Sequence, residues 1–180
     1  SAATVARRRS LFDIARLMLL TGARREEICK ITPARIHWEQ KLITLISSKS
    51  GREHQIAVGD LALEILRERA RLIPKGPLYT DLKNYQVTEM LQRDVLRAGI
   101  AYGQREPGGW SLHDFRRTAA TLIEDAGIPY SAVMEQLGHK RRDVTATYTV
   151  PQLDTLRRAA QILEAWCRDI DGFKTSQLAA

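Results

Sequence analysis

Apolar residues recur at helical spacing in the first part of the chain. Leu11, Ile14, Ala15, Met18 and Leu19 share one face between about Val5 and Leu20, and Thr21-Gly22 ends that helix. Glu26 to Lys30 reads as a short second helix, stopped before Pro33. The period then changes. Ile36 to Trp38 and Leu42 to Ser47 alternate as strands do, on either side of a Glu39-Gln40-Lys41 turn. A polar Lys49-Ser50-Gly51-Arg52 turn leads into a third strand, His54 to Val58, which predicts a three-stranded antiparallel sheet.

Helical spacing returns after Gly59. Asp60 is placed to cap a helix to about Leu72, ended by Pro74-Lys75-Gly76. Asn84 to Ala98 forms the next, with Gly99 as its stop. The loop from Tyr102 to Trp110 carries three glycines and a proline. Ser111-Leu112-His113-Asp114 has the character of a helix start, and that helix runs to Gly127. Pro129 introduces a short helix through Leu137, closed by Gly138. Arg142 to Thr147 is a further short helix. Pro151 opens a last amphipathic helix to about Ile170, with Leu153, Leu156, Ala160, Leu163, Cys167 and Ile170 on one stripe and Trp166 beside it. The pattern predicts a mainly α-helical domain with a small three-stranded antiparallel sheet.

Length and composition fit one globular domain: 180 residues, 44% hydrophobic and 27% charged. The net charge of +7 and the pI near 9.7 suit a polyanionic partner, of which nucleic acid is the commonest. Cys29 and Cys167 are far apart, lack metal-ligand spacing and fall in helical segments, so both read as reduced thiols in a reducing compartment. No apolar run approaches a membrane span and no signal peptide is evident. The chain starts at Ser1 without a methionine, which suggests a fragment of a longer protein.

Three stretches concentrate unusual polar residues: Thr21-Gly22-Ala23-Arg24 with Glu27, His113-Asp114-Phe115-Arg116, and Leu137-Gly138-His139 with Tyr148 nine residues further on. His113 and Arg116 are three apart on one helix, near a start whose backbone N–H groups favour an anion. Arg24 lies just past a Thr-Gly helix stop, and its guanidinium fork matches phosphate oxygens. Two arginines on one phosphate would stabilise the charge of a phosphoryl-transfer transition state. No acidic cluster suggests a two-metal site, so cationic side chains must supply what a metal otherwise would.

In order and spacing, these motifs resemble the catalytic set of the tyrosine recombinases, the family of phage and prophage integrases, over roughly Thr21 to Tyr148. The resemblance implies the family's DNA breaking-rejoining fold and assigns roles position by position. Arg24 resembles the first catalytic arginine, with Glu27 as its supporting acid. Lys49, in a Ser-Lys-Ser-Gly turn, resembles the β-hairpin lysine. His113 and Arg116 match a His-x-x-Arg motif, His139 the histidine-or-tryptophan position, and Tyr148 the nucleophile. By this resemblance, Tyr148 attacks a DNA phosphate to give a 3′-phosphotyrosyl bond and a free 5′ hydroxyl. Arg24 and Arg116 clamp the non-bridging oxygens, Lys49 is the general acid, His113 accepts the tyrosine proton and His139 bonds the phosphate. Neither metal, ATP nor other cofactor is required.

The resemblance also implies double-stranded DNA as partner, exchange in a tetramer, and work in the bacterial cytoplasm. It further implies an N-terminal DNA-clamping domain that this chain lacks. Lys140, Arg141 and Arg142, between His139 and Tyr148, are candidate backbone contacts to DNA. Tyr79, Tyr85, Tyr102 and Tyr130 read as structural or surface residues, and His37 and His54 as strand residues without a catalytic role. Residues 151–180 dock either on their own domain or on a neighbouring protomer. Two other readings stand beside the recombinase: a type IB topoisomerase-like strand relaxer, and a DNA-binding prophage remnant without catalysis.

Overall fold

The computed structural model describes residues 2–47, 51–103, 107–138 and 153–178, with side chains in the last helix as far as Asp169. Helix α1 (Ala2–Thr21) buries Leu11, Ile14, Leu17, Met18 and Leu20, the three- and four-residue spacing that puts one stripe inward. It packs against α2 (Arg25–Cys29), α3 (Asp60–Leu72), α4 (Asn84–Arg97), α5 (Leu112–Asp125) and α7 (Leu153–Leu178), so it is the helix on which most others rest. A short 3₁₀ turn (Pro33–Arg35) leads into the sheet, and α6 (Tyr130–Gln136) lies between α5 and α7 in sequence.

The sheet has the order β1 (Ile36–His37), β2 (Leu42–Ile46), β3 (Glu53–Ala57), antiparallel throughout. Leu42 pairs with Ala57, Leu45 with His54 and Ile46 with Glu53. Ile43, Leu45 and Ile56 point into the core, as strand alternation requires. The outer edge of β3 is closed by a side chain. Gln136 of α6 accepts from Ala57 N–H at 3.1 Å and donates to Ala57 O at 2.8 Å, taking the place of a strand on the side of β3 away from β2.

Two apolar clusters follow from this layout. The larger joins α1, α2, the sheet, α3 and the start of α4. The smaller joins Ala57, Ile123, Ile128, Val133 and Leu137 to Leu156, Ala159 and Ala160 of α7. The α7 stripe also includes buried Leu163 and Cys167, and the helix contacts α1, α3, α5, α6 and β3. The helix runs to Leu178, eight residues past the end expected at Ile170. The apolar stripe ends at Ile170 in the sequence, and adding turns to a nucleated helix costs little.

The α3 start also differs from expectation. Gly59, not Asp60, is the N-cap. The Asp60 carboxylate pairs instead with Lys41 at 2.8 Å, and Glu164 of α7 supplies the missing acceptor, taking Leu61 N–H at 3.2 Å. A side chain at position 59 would run into Glu164: a Cβ built there lies 1.9 Å from Oε2. The segment expected to be helical at Arg142–Thr147 lies outside the described residues.

A buried ionic knot, invisible to hydropathy patterning, ties α1 to α3 and the loop after it. Arg69 Nη2 donates to Ser10 Oγ at 2.7 Å, to Leu78 O at 3.1 Å and to Asp81 Oδ1 at 3.1 Å. Its guanidinium also stacks 4.7 Å from the Tyr79 ring centroid. Removing one member of such a group strands the others away from water. Arg69→Ala should therefore cost about 3 kcal/mol of stability, measured by urea unfolding. A loss below about 1 kcal/mol would mean that the knot is solvated and contributes little.

Candidate active site

The site begins where α1 stops. Thr21 Oγ donates to Leu17 O at 2.6 Å and accepts from Ala23 N–H at 3.1 Å, which ends the helix and turns the chain. Gly22 then takes a left-handed φ of +67°. It also lets two other segments approach, since a Cβ there would sit 2.5 Å from Leu137 and 3.2 Å from Ala119. The turn delivers Arg24 to the start of α2.

Arg24 is held by Glu27, three residues on. Glu27 Oε2 accepts Arg24 N–H at 2.8 Å, and Oε1 accepts Arg24 Nη1 at 3.1 Å. The carboxylate side chain is fully buried, while the arginine side chain remains 42% exposed. Glu27 therefore fixes the base of Arg24 and leaves part of the guanidinium open to an anion.

Arg116 reaches the same place from α5. It is 3% exposed, donating through Nη1 to Gly22 O at 2.8 Å and through Nη2 to Leu137 O. These two bonds join the α1–α2 turn to the end of α6 through one side chain. The Arg116 Nε has no partner among the described residues. Burial is the main force pushing its pKa down, to about 10; the charge of Arg24 adds to it and Glu27 opposes it. Arg116 thus stays cationic at neutral pH, and it lies close enough to Arg24 for the two to repel. An oxyanion between them would relieve that repulsion.

His113 lies one turn before Arg116 on α5 and is exposed. The sequence puts both residues in the first helical turn, but Arg116 is the fifth residue of α5 and lies beyond it. The helix start is already served by Asp114, whose Oδ2 accepts from Ser111 N–H at 2.7 Å and from Ser111 Oγ at 2.8 Å. Positive potential at the site therefore comes from guanidinium groups rather than from a free helix end. Trp110, packed edge-on to Phe115 at 5.0 Å and tilted against Tyr102 at 6.1 Å, anchors the entry to α5.

Lys49, His139, Lys140, Arg141, Arg142 and Tyr148 lie outside the described residues. Among the described residues, no group of histidine, cysteine and acidic side chains could hold a metal ion. Nor is any described helix long and apolar enough to cross a membrane.

One residue at the site escaped the sequence reading. His54 of β3 is buried and lies in the fields of Glu27, Arg116, Arg24 and Arg52. The signal was present: in Glu53-His54-Gln55-Ile56, alternation puts His54 in phase with Ile56 and so on the core face. Burial lowers its pKa from the ordinary 6.5, Glu27 opposes that, and the three arginines reinforce it.

The fold therefore holds this imidazole neutral where the unfolded chain would take up a proton. Its stabilising contribution is full above pH 6.5 and is lost as pH falls through the folded-state value. The melting midpoint of the wild type should drop more between about pH 7 and about pH 5 than that of His54→Gln, which has nothing to protonate there. Parallel pH profiles for the two proteins would contradict this reading.

The phage integrase family model matches residues 2–154. Tyrosine recombinase XerC of Corynebacterium glutamicum is 30% identical over 143 residues, covering 76% of this chain and 45% of its own. Among solved structures, the integrase from mycobacterium phage Brujita superposes with a TM-score of 0.67 at 18% identity, covering 86% of this chain and 52% of its own. A lambda integrase tetramer bound to a Holliday junction gives 0.59 at 20% identity, covering 79% and 43%. The chain spans about half the length of the curated relatives it matches. Its fold is that of an integrase catalytic core, and with its family match over most of its length the chain belongs to the phage integrase family.

Proposed function

We propose that this chain is the catalytic part of a site-specific DNA recombinase that cuts and rejoins strands through Tyr148. The observation that carries the reading is the pairing of Arg24 and Arg116. Two guanidiniums from distant parts of the chain are brought within mutual repulsion, one anchored by a buried carboxylate and the other by two backbone carbonyls. Glu27 offsets one of the two positive charges, an anion bound between the guanidiniums would offset the other, and a DNA phosphate is that anion.

The chemistry follows from the residue types. Tyr148 Oη attacks the phosphorus in line with the 5′ oxygen, forming the Tyr–O–P bond as the P–O5′ bond breaks. The Tyr148 proton passes to His113, and Lys49 donates a proton to the departing 5′ oxygen, so the charges balance. Arg24 and Arg116 hold the non-bridging oxygens, and His139 adds a hydrogen bond. Attack by a 5′ hydroxyl of another strand reverses the step and completes the exchange. One phosphoester replaces another, so no ATP, metal or other cofactor is consumed.

Double-stranded DNA carrying a recombination site is the substrate, with Lys140, Arg141 and Arg142 touching its backbone. Four copies act together on that DNA, by analogy with the lambda integrase assembly, and the work takes place in the bacterial cytoplasm. A separate domain preceding this one clamps the opposite face of the duplex. The segment 151–180 closes the domain on its own chain, as the burial of Leu156 and Leu163 supports.

Covalent capture tests the proposal. The chain, together with whatever its gene encodes before Ser1, is incubated with labelled nicked duplexes from its genomic flanks and denatured in SDS. A protein–DNA band is expected from the wild type, with none from Tyr148→Phe. Arg116→Ala should lower its rate of formation by roughly 10²- to 10³-fold, the usual loss for a missing oxyanion donor. A band that survives Tyr148→Phe moves the nucleophile elsewhere. DNA binding with no band from the wild type supports the inactive remnant. Relaxation of supercoils without strand exchange supports the topoisomerase-like reading.

A further inference from the structure

The imidazole of His54 stands at an unusual place. It occupies a core-facing position of β3, opposite buried Leu45, and is 8% exposed. Its Nε2 is buried and has no hydrogen-bond partner among the described residues. A leucine or isoleucine would fill a strand position of this kind without stranding a nitrogen. Filling volume is therefore an incomplete account of this ring.

What the ring touches is more informative. Its tip lies against Gly138, where a Cβ would stand 2.2 Å from Nε2, 2.4 Å from Cδ2 and 2.7 Å from Cε1. Gly138 has a φ of +65°, so the backbone alone already favours glycine there. The imidazole adds a second, separate reason. Gly138 follows Leu137, whose carbonyl accepts Arg116 Nη2, and it precedes His139. The ring also lies in the electrostatic field of Glu27 of α2, Arg24 at the start of α2, Arg116 of α5 and Arg52 just before β3.

We propose that His54 is a positioning residue. Its flat ring sets how closely the Leu137-Gly138 turn approaches β3, and through Leu137 O it sets the place of the Arg116 guanidinium. The inference rests on the strand-cutting reading of the site and adds to it a residue that touches no substrate. A neutral ring suits the task, because it stands in the field of Arg116, Arg24 and Arg52 without adding another positive charge. Among the described residues, Leu137 O is one of two carbonyls to which Arg116 donates, so a turn that settles closer to β3 displaces the guanidinium.

Two measurements decide it. The first compares single-turnover rates of the covalent band for wild type, His54→Ala and His54→Gln, alongside affinity for the same duplex. His54→Ala should slow the reaction roughly ten- to hundredfold with DNA affinity unchanged, the usual scale for a misplaced reacting group. His54→Gln, which reaches a similar depth and keeps a polar nitrogen, should recover most of that loss. A cooperatively melting His54→Ala that reacts at the wild-type rate would overturn the proposal. The second measurement needs no activity. Gly138→Ala should lower the melting midpoint by at least about 3 °C more in the wild type than in His54→Ala, where the Cβ has room. Equal losses in the two backgrounds would show that the ring does not set the turn. A wild type without any covalent band contradicts the proposed function, and the melting cycle then decides the role of His54 on its own.

Discussion

The site depends on one buried cation. Arg116 donates to Gly22 O and to Leu137 O, carbonyls that stand far apart in sequence. Nearly everything nearby serves those two bonds. The α1 helix ends on a threonine-capped turn so that Gly22 O is free, and Gly22 lacks a side chain so that Leu137 can come close. The end of α6 is pinned by Gln136 to the edge of β3, which fixes where Leu137 lies. A guanidinium so far from water needs a counter-charge near it, and buried Glu27 supplies that charge.

The same arrangement explains why the region reads as a functional site rather than as a structural ion pair. A structural pair neutralises itself. Here one carboxylate, Glu27, serves two guanidiniums, and Arg24 keeps much of its surface open. Hydrogen bonds to Glu27, Gly22 O and Leu137 O hold the two guanidiniums in place, and fixed donors of this kind stabilise charge that develops during a reaction. By contrast, Arg69 has a carboxylate of its own in Asp81, and it also donates to Ser10 and to the Leu78 carbonyl. Two buried arginines in one small domain thus do different work, and their partners tell them apart.

Much of this was legible in the sequence, and for physical reasons. Helical periodicity gave α1 and α3 to α7 to within a few residues at most ends, because each presents one apolar stripe to a common core. Alternation gave the three strands because the sheet has one buried face. Arg24, Glu27 and Arg116 were legible through motif spacing, and they lie together. Features that depend on partners distant in sequence were not legible. The cap of α3 comes from Glu164, about a hundred residues away, so Asp60 was misread as the capping residue. His54 was passed over because a histidine in a strand looks polar and exposed, although its phase with Ile56 pointed inward. Arg69 was hidden for a similar reason: on a helix surface an arginine is ordinarily solvated, and only the fold brings Ser10 and Asp81 to it.

The central claim is that the arginine site presents a DNA phosphate to the hydroxyl of Tyr148. It is tested most directly by locating the residue that carries DNA. The trapped complex is digested with nuclease and trypsin, and the modified peptide is sequenced by mass spectrometry. Cleavage after Arg142 and Arg157 should yield a peptide bearing a nucleotide through its 3′ phosphate, with the added mass on Tyr148. A nucleotide on Tyr130, Tyr102 or any other side chain, or one joined through its 5′ phosphate, would contradict the account.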